Sequence, residues 1–241
     1  METLSFAQAI SAELVGTAIL IFLGNGVVAN VLLSKTFGHG SGLIVIAFGW
    51  AMAVFIAVKT TVVYSGAHLN PAVTFALAIN GSFLWSWVIP YMVAQMLGGV
   101  LGATMVFLLY RNHFLETKET RAKLASFCTS PAISNWKSNL FSEMIATFIL
   151  IFSLIRLAPP SVDLGAIQAL PVSLIVLGIG VSLGGTTGYA INPARDLAPR
   201  IMHAVLPIGL KESSNWKYAW IPVVGPLIGA ALAIAVSHLL P

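Results

Sequence analysis

The tripeptide Asn-Pro-Ala occurs twice, at Asn70-Pro71-Ala72 and at Asn192-Pro193-Ala194, and each copy opens an apolar stretch too short to cross a bilayer. Asn is a strong helix N-cap, and Pro is favoured at the first helical position, where its missing N–H is no loss. Each copy therefore predicts a half-helix, over about 70–80 and about 192–204. A capping Asn accepts from the backbone N–H groups of the first turn and leaves its own NH2 to donate elsewhere. Two such caps meeting inside a membrane make a dehydrated, donor-lined spot flanked by two positive helix ends.

The setting is a membrane. The 241 residues are 58% hydrophobic and only 8% charged, where a soluble domain carries about 25% charge. A spanning helix needs roughly 20 apolar residues, and six stretches qualify: about 9–33, 43–63, 83–110, 138–157, 168–187 and 217–238. The net charge of +4 is not gathered into a basic run, so nothing points to nucleic acid. Cys128 is the single cysteine, which excludes an intrachain disulfide, a zinc site or a redox pair and reads as a small side chain in a connecting loop. Met1 to Gln8 holds no Lys or Arg, and the first apolar stretch is too long for a signal-peptide core, so no cleavable signal is expected.

The chain repeats itself. Glu13-Leu14-Val15-Gly16-Thr17 and the apolar run after it resemble Glu143-Met144-Ile145-Ala146-Thr147 and its apolar run. The Asn-Pro-Ala copies follow, and then Gly98, Gly102 and Ala103 match Gly225, Gly229 and Ala230. These anchors keep their order at offsets of 130, 122 and 127 residues. Each half carries three spans, an odd number, so the second half enters from the opposite side, an inverted repeat whose short segments mark a central site. The expected fold is an all-α membrane protein, one transmembrane channel domain over 1–241 with six spans and two half-helices. Its first repeat runs over about 1–112, its polar linker over about 113–137 and its second repeat over about 138–241.

Charge inside a membrane is costly and marks function by default. Arg195 directly follows the second Asn-Pro-Ala, whereas the first is followed by Val73. A guanidinium there, with five donors, binds polar oxygens and repels cations if it faces a pore; the alternative is a structural salt bridge to Asp196 or to a carbonyl. Asp196 lies in the first turn, where a carboxylate suits the helix dipole, and reads as scaffold. Glu13 and Glu143 occupy equivalent places, and each is expected to receive backbone N–H groups of an irregular buried loop. His68 reads as a packed residue, and with no second His or Cys at ligand spacing no metal or cofactor is expected. The segments before the caps are rich in small residues. Non-helical backbone at membrane depth survives only where it is buried or lines a cavity. Gly66, Ala67, His68, Gly188, Tyr189 and Ala190 are therefore expected to offer a ladder of carbonyl acceptors facing an apolar wall. Glycines spaced by four, Gly98/Gly102 and Gly225/Gly229, are expected to let helices approach closely.

SGAHLNPAVT (65–74) and GYAINPARD (188–196) resemble the twin signatures of the major intrinsic protein family, the aquaporins and aquaglyceroporins. The resemblance covers essentially the whole chain. It implies a right-handed helical bundle with one pore per protomer, usually a homotetramer in the cell membrane, with both termini cytoplasmic. The charge pattern points the other way: the terminus side carries only Lys59 and Arg156, while the opposite side holds Lys35, Arg111, Lys118, Arg121, Lys123, Lys137, Lys211 and Lys217, which the positive-inside rule would place in the cytoplasm. The family topology is followed, because a fold is set by its core and the charge bias is statistical. Asp196 after the second motif and Pro222-Val223 in the last span resemble the glycerol-conducting branch. The family's constriction is built from four positions, which by ungapped spacing fall on Trp50, Gly180, Tyr189 and Arg195. Phe48-Gly49 also resembles the family's aromatic-Gly pair. Tyr189 departs from the Phe usual in glycerol facilitators and adds a hydroxyl to that wall.

The expected activity is passive conduction of small uncharged solutes, glycerol and related polyols first, with some water flux; no enzyme chemistry is implied. The same fold conducting neutral lactic acid, urea or hydrogen peroxide is the alternative. An ion-coupled secondary transporter would also have broken helices, but the few intramembrane acids argue against it. A purely structural junction protein would not need polar residues at both motifs.

Overall fold

The computed structural model describes residues 5–157 and 165–239; Met1–Leu4, part of the segment read for a signal peptide, lie outside them. The described residues form helices and connecting turns, with no strand. Six long helices are α1 (Phe6–Leu32), α2 (Leu43–Ser65), α4 (Trp85–Leu109), α7 (Trp136–Arg156), α8 (Leu170–Leu183) and α10 (Ile221–Ser237). The two half-helices are α3 (Pro71–Ile79) and α9 (Pro193–Val205). Two short helices, α5 (Arg111–Glu116) and α6 (Thr120–Ala125), occupy the linker.

Local chemistry sets the ends. Ser5 and Gln8 form a reciprocal capping box at the start of α1, and the Asn135 side chain caps α7. Gly66, at φ 78°, ends α2 in the left-handed conformation, which glycine adopts without a Cβ clash. The last two spans are shorter than the apolar runs that announced them. α8 has 14 residues, preceded by a 3-10 turn at Gly165–Ile167, because Pro171 sits near its start and Gly184-Gly185 follow its end. α10 has 17 residues, with Pro222 in its first turn and residues 216–220 spent in turns. Among the described residues, five segments, counting Gly165–Leu183 as one, are long and apolar enough to cross a membrane.

The halves pack in equivalent ways. α1 lies along α4 as α7 lies along α10, and each half-helix packs on a long helix of the other half, α3 on α10 and α9 on α4. The glycines explain the first pairing. A Cβ on Gly98 would lie 2.3 Å from the Leu14 carbonyl oxygen, and one on Gly229 would lie 2.2 Å from that of Met144. The helix backbones are therefore in direct contact, which in a bilayer is the main source of helix association.

The linker is partly buried. It is polar in composition, yet Phe114, Lys123, Leu124, Phe127 and Cys128 are buried. Asn25 of α1 donates to the Phe127 carbonyl at 2.9 Å, and the Ala132 N–H reaches the Thr186 carbonyl, just past the end of α8. The segment joins the repeats and is itself packed against the bundle. Replacing Gly229 by Val inserts atoms where a carbonyl already stands, and overpacking of this kind costs about 1–3 kcal/mol or more. The expected outcome is a lower melting temperature of the detergent-solubilised protein; an unchanged transition would show that the α7–α10 contact is looser than the geometry states.

Candidate functional site

The two Asn-Pro-Ala segments meet head to head and clasp each other. Asn70 Oδ1 accepts from the Ala72 N–H at 2.8 Å, and Asn192 Oδ1 accepts from the Ala194 and Arg195 N–H groups at 3.0 and 3.1 Å. Each Asn Nδ2 then crosses to the other repeat: Asn70 donates to the Ile191 carbonyl and Asn192 to the Leu69 carbonyl, both at 2.8 Å. The sequence expectation left each NH2 to donate elsewhere, without fixing its partner. In the structure one hydrogen of each NH2 closes the clasp, and one remains to donate.

The backbone leading to each cap is left-handed at matching places. Gly66, Ala67 and Leu69 have φ of 78°, 51° and 51°; Gly188, Tyr189 and Ile191 have 83°, 38° and 45°. Non-glycine residues in this region cost about 1–3 kcal/mol each, so something must hold them. The Glu13 carboxylate accepts from the His68 and Leu69 N–H groups at 2.9 and 2.8 Å, and also from Ser65 Oγ and Gln95 Nε2. The Glu143 carboxylate accepts from the Ala190 and Ile191 N–H groups at 3.0 and 2.9 Å and from the Thr187 side chain. A hydrogen bond contributes about 0.5–1.5 kcal/mol net, and a buried N–H left without a partner costs about 1–3 kcal/mol, so the two carboxyl groups offset much of the strain. In a trans peptide the C=O points opposite to the N–H. Turning those four N–H groups to the glutamates therefore turns the carbonyls of Ala67, His68, Tyr189 and Ala190 the other way. All four residues line one cavity of about 520 Å³.

That cavity runs from Asn80, Ser82 and Gln168 at one end, past Gly66–Asn70 and Ala190–Asn192, to Trp50, Tyr189 and Arg195 at the other. Its remaining wall is aliphatic, with Leu20, Val54, Val58, Val73, Leu150, Leu154 and Val176. One side accepts hydrogen bonds and the other offers apolar surface. Gly66 belongs to the lining, whereas Gly188 lies outside it, against Thr129. His68 lines the cavity with its Nδ1 3.1 Å from Thr74 Oγ1 and its ring against Phe83 and Tyr91.

At the far end the Arg195 guanidinium carbon stands 4.1 Å from the Trp50 ring centroid. Trp50 Nε1, Tyr189 Oη and Arg195 Nη1 are buried with no hydrogen-bond partner. Unpartnered buried donors are rare because each costs about 1–3 kcal/mol, and here three cluster around one cavity end. Phe48, the other aromatic near Trp50 in sequence, is exposed on the outer surface at 55% and takes no part. Gly180 is buried but outside the cavity lining. A Cβ there would lie 2.9 Å from Tyr189 Cζ, so the missing side chain accommodates the tyrosine ring and does not widen the cavity directly.

Asp196 does not pair with Arg195. Its Oδ1 accepts from Arg200 Nε at 2.8 Å and Nη2 at 2.7 Å, in a fully buried i, i+4 pair. Its Oδ2 accepts from the Thr129 N–H and Oγ1 at 2.8 and 2.6 Å. Arg200 continues to the carbonyls of Ser214 and Thr129. This network leaves Arg195 free toward the cavity and ties α9 to the linker. Arg200, Gln95 and Thr129 were missed from sequence. The Asp196/Arg200 spacing was a legible signal; Gln95 and Thr129 had none, since their partners are 82 and 67 residues away.

Replacing Glu143 by Leu strands two buried N–H groups at about 1–3 kcal/mol each. A marked drop in melting temperature with loss of solute flux is expected, and retention of both would show that the loop holds its left-handed residues unaided.

The sequence profile named "Major intrinsic protein" matches residues 1–237. The chain is 51% identical over 227 residues to a protein of Streptococcus pneumoniae named "Glycerol uptake facilitator protein", covering 94% of this chain and 97% of that one. It is 38% identical over 231 residues to the "D/L-lactic acid transporter" of Lactiplantibacillus plantarum, covering 94% and 95%. Among solved structures, the aquaglyceroporin from Plasmodium falciparum superposes with a TM-score of 0.82 at 29% identity, covering 96% of this chain and 95% of that one.

Proposed function

The chain belongs to the major intrinsic protein family, and on that premise we propose that it is a passive membrane channel for glycerol and related small polyols, with some water flux. The observation that carries the reading is the two-sided cavity ending in three unpartnered buried donors. A polyol has hydroxyls along one edge and C–H groups along the other, so it matches an acceptor-lined wall facing an aliphatic one. Trp50 and Tyr189 hold its carbon edge. Arg195 and the carbonyls of Ala67, His68, Tyr189 and Ala190 replace its lost water hydrogen bonds. At the midpoint, the remaining amide hydrogens of Asn70 and Asn192 donate to a passing oxygen. The N-termini of α3 and α9 present positive ends at the same point, and with Arg195 they oppose protons and cations.

A second reading keeps the pore and changes the solute. Tyr189 Oη is buried and unpartnered, an additional polar point suited to an undissociated carboxylic acid such as lactic acid. With a pKa near 4, such an acid is almost wholly anionic at neutral pH, so its flux would rise as pH falls.

The same reading places a homotetramer in the cell membrane with both termini cytoplasmic, against the charge count. Three of the lysines behind that count are engaged in structural contacts. Lys35 pairs with Glu116. Lys123 Nζ donates to the Ile208 and Leu210 carbonyls, and Lys211 Nζ donates to those of His203, Ala204 and Leu206 at the end of α9. Burial holds both of these latter amines below the ordinary lysine pKa. Their positions follow the fold's needs, which weakens them as topology signals.

Stopped-flow light scattering on proteoliposomes tests the function. Rapid glycerol uptake with no ion gradient is expected; water flux without glycerol uptake, or lactic acid uptake dominating at low pH, would overturn the polyol assignment. Arg195→Ala is expected to raise proton and ammonium leakage, and unchanged leakage would remove its role in cation exclusion. Tyr189→Phe is expected to raise glycerol flux relative to lactic acid; an unchanged ratio would take the hydroxyl out of selectivity.

A further inference from the structure

Gly24 of α1 lies outside the cavity lining, yet it stands directly behind Trp50, one of the lining residues. A Cβ built on Gly24 would meet Trp50 Cζ3, Cε3 and Cη2 at 2.2, 2.3 and 2.5 Å. All three atoms belong to the six-membered ring of the indole, and they are the nearest heavy atoms to that position. The indole is rigid and cannot fold away as a flexible chain would. It is held against the α1 backbone, while Arg195 stands over its ring at 4.1 Å. Trp50 is 4% exposed and lines the cavity, so the open side of the ring is the conduit itself.

We infer that Gly24 is a specificity-determining position: by leaving space for the indole it sets how far Trp50 stands out of the conduit, and so which solutes pass Arg195. The inference deepens the channel reading above and rests on it. Real Cβ atoms essentially never come within 3.0 Å of another heavy atom. A methyl on Gly24, 2.2 Å from the ring where real Cβ contacts stay beyond 3.0 Å, therefore forces a shift, and the side of the indole with open space for it is the cavity. A constriction narrowed in this way excludes a CHOH unit before it excludes water. Gly24 touches no solute in this account; it acts through Trp50, as Gly180 acts through Tyr189.

The experiment compares wild type, Gly24→Ala, Trp50→Phe and the double variant in proteoliposomes, with glycerol and osmotic water permeability measured on the same preparations and the folded state checked by gel filtration. One methylene in a fitted site changes discrimination by about tenfold or more, so Gly24→Ala is expected to lower the glycerol-to-water permeability ratio by at least about that factor. Phe lacks the fused ring that reaches Gly24, so the double variant is expected to return to the ratio of Trp50→Phe alone. A ratio unchanged in Gly24→Ala overturns the inference. So does a loss of both fluxes that Trp50→Phe does not restore, since that marks Gly24 as a packing residue of α1. Failure of the solute reading shows separately, as wild-type vesicles that take up no glycerol; the same variants are then compared on urea against water, where the same drop and the same restoration are expected and their absence overturns the inference.

Discussion

A polar backbone group inside a bilayer has no water to fall back on, and the rest of this structure depends on how that constraint is met at the middle of the chain. The chain must leave helical geometry twice to bring α3 and α9 head to head. Glu13 and Glu143 make this feasible by taking the N–H groups of His68, Leu69, Ala190 and Ile191. The Asn70 and Asn192 side chains complete the satisfaction by crossing between repeats. Each repeat therefore supplies groups that the other needs, and neither half-helix end is complete by itself. The binding surface is a by-product of the same bonds: once the N–H groups are turned to the glutamates, the carbonyls face the cavity.

On the proposed channel reading, selectivity rests on how the aromatic residues at one end are seated. Trp50 and Tyr189 are large, but each stands against a helix glycine, Gly24 and Gly180. Their rings are set back, and their polar atoms are left without protein partners. Arg195 shares that condition because its neighbour Asp196 is occupied by Arg200 and Thr129. A buried ion pair contributes little net stability by itself; here its effect is to keep a carboxylate away from the cation that faces the conduit. The linker takes part through Thr129, so a segment polar by composition helps decide which charge the cavity presents.

Much of the fold was legible because it follows from local rules. Asn before Pro caps a helix wherever it occurs, and glycines spaced by four report close helices; the structure has both where those rules place them. The span ends were less legible, since Pro171 and Pro222 start their helices later than hydropathy alone suggests. Of the site, the clasp residues, the two glutamates and Arg195 were readable from motif and repeat position, whereas Trp50 and Tyr189 were named as constriction residues only by the family resemblance. Gly188 and Gly180 fall outside the cavity lining, because spacing along a chain does not say which side of a backbone faces inward.

By itself the sequence determined the membrane setting, the two half-helices and the equivalence of the two repeats, since capping, hydropathy and periodicity act over a few residues. Only the tertiary structure decided where hydrogen bonds spanning 67 to 123 residues would go: Asn192 to Leu69, Gln95 to Glu13, Thr129 to Asp196. It also decided that Gly24 would lie behind Trp50 and that Arg195 would remain unpaired. Those outcomes depend on which helix faces touch, and facing is set by the packing of the whole bundle.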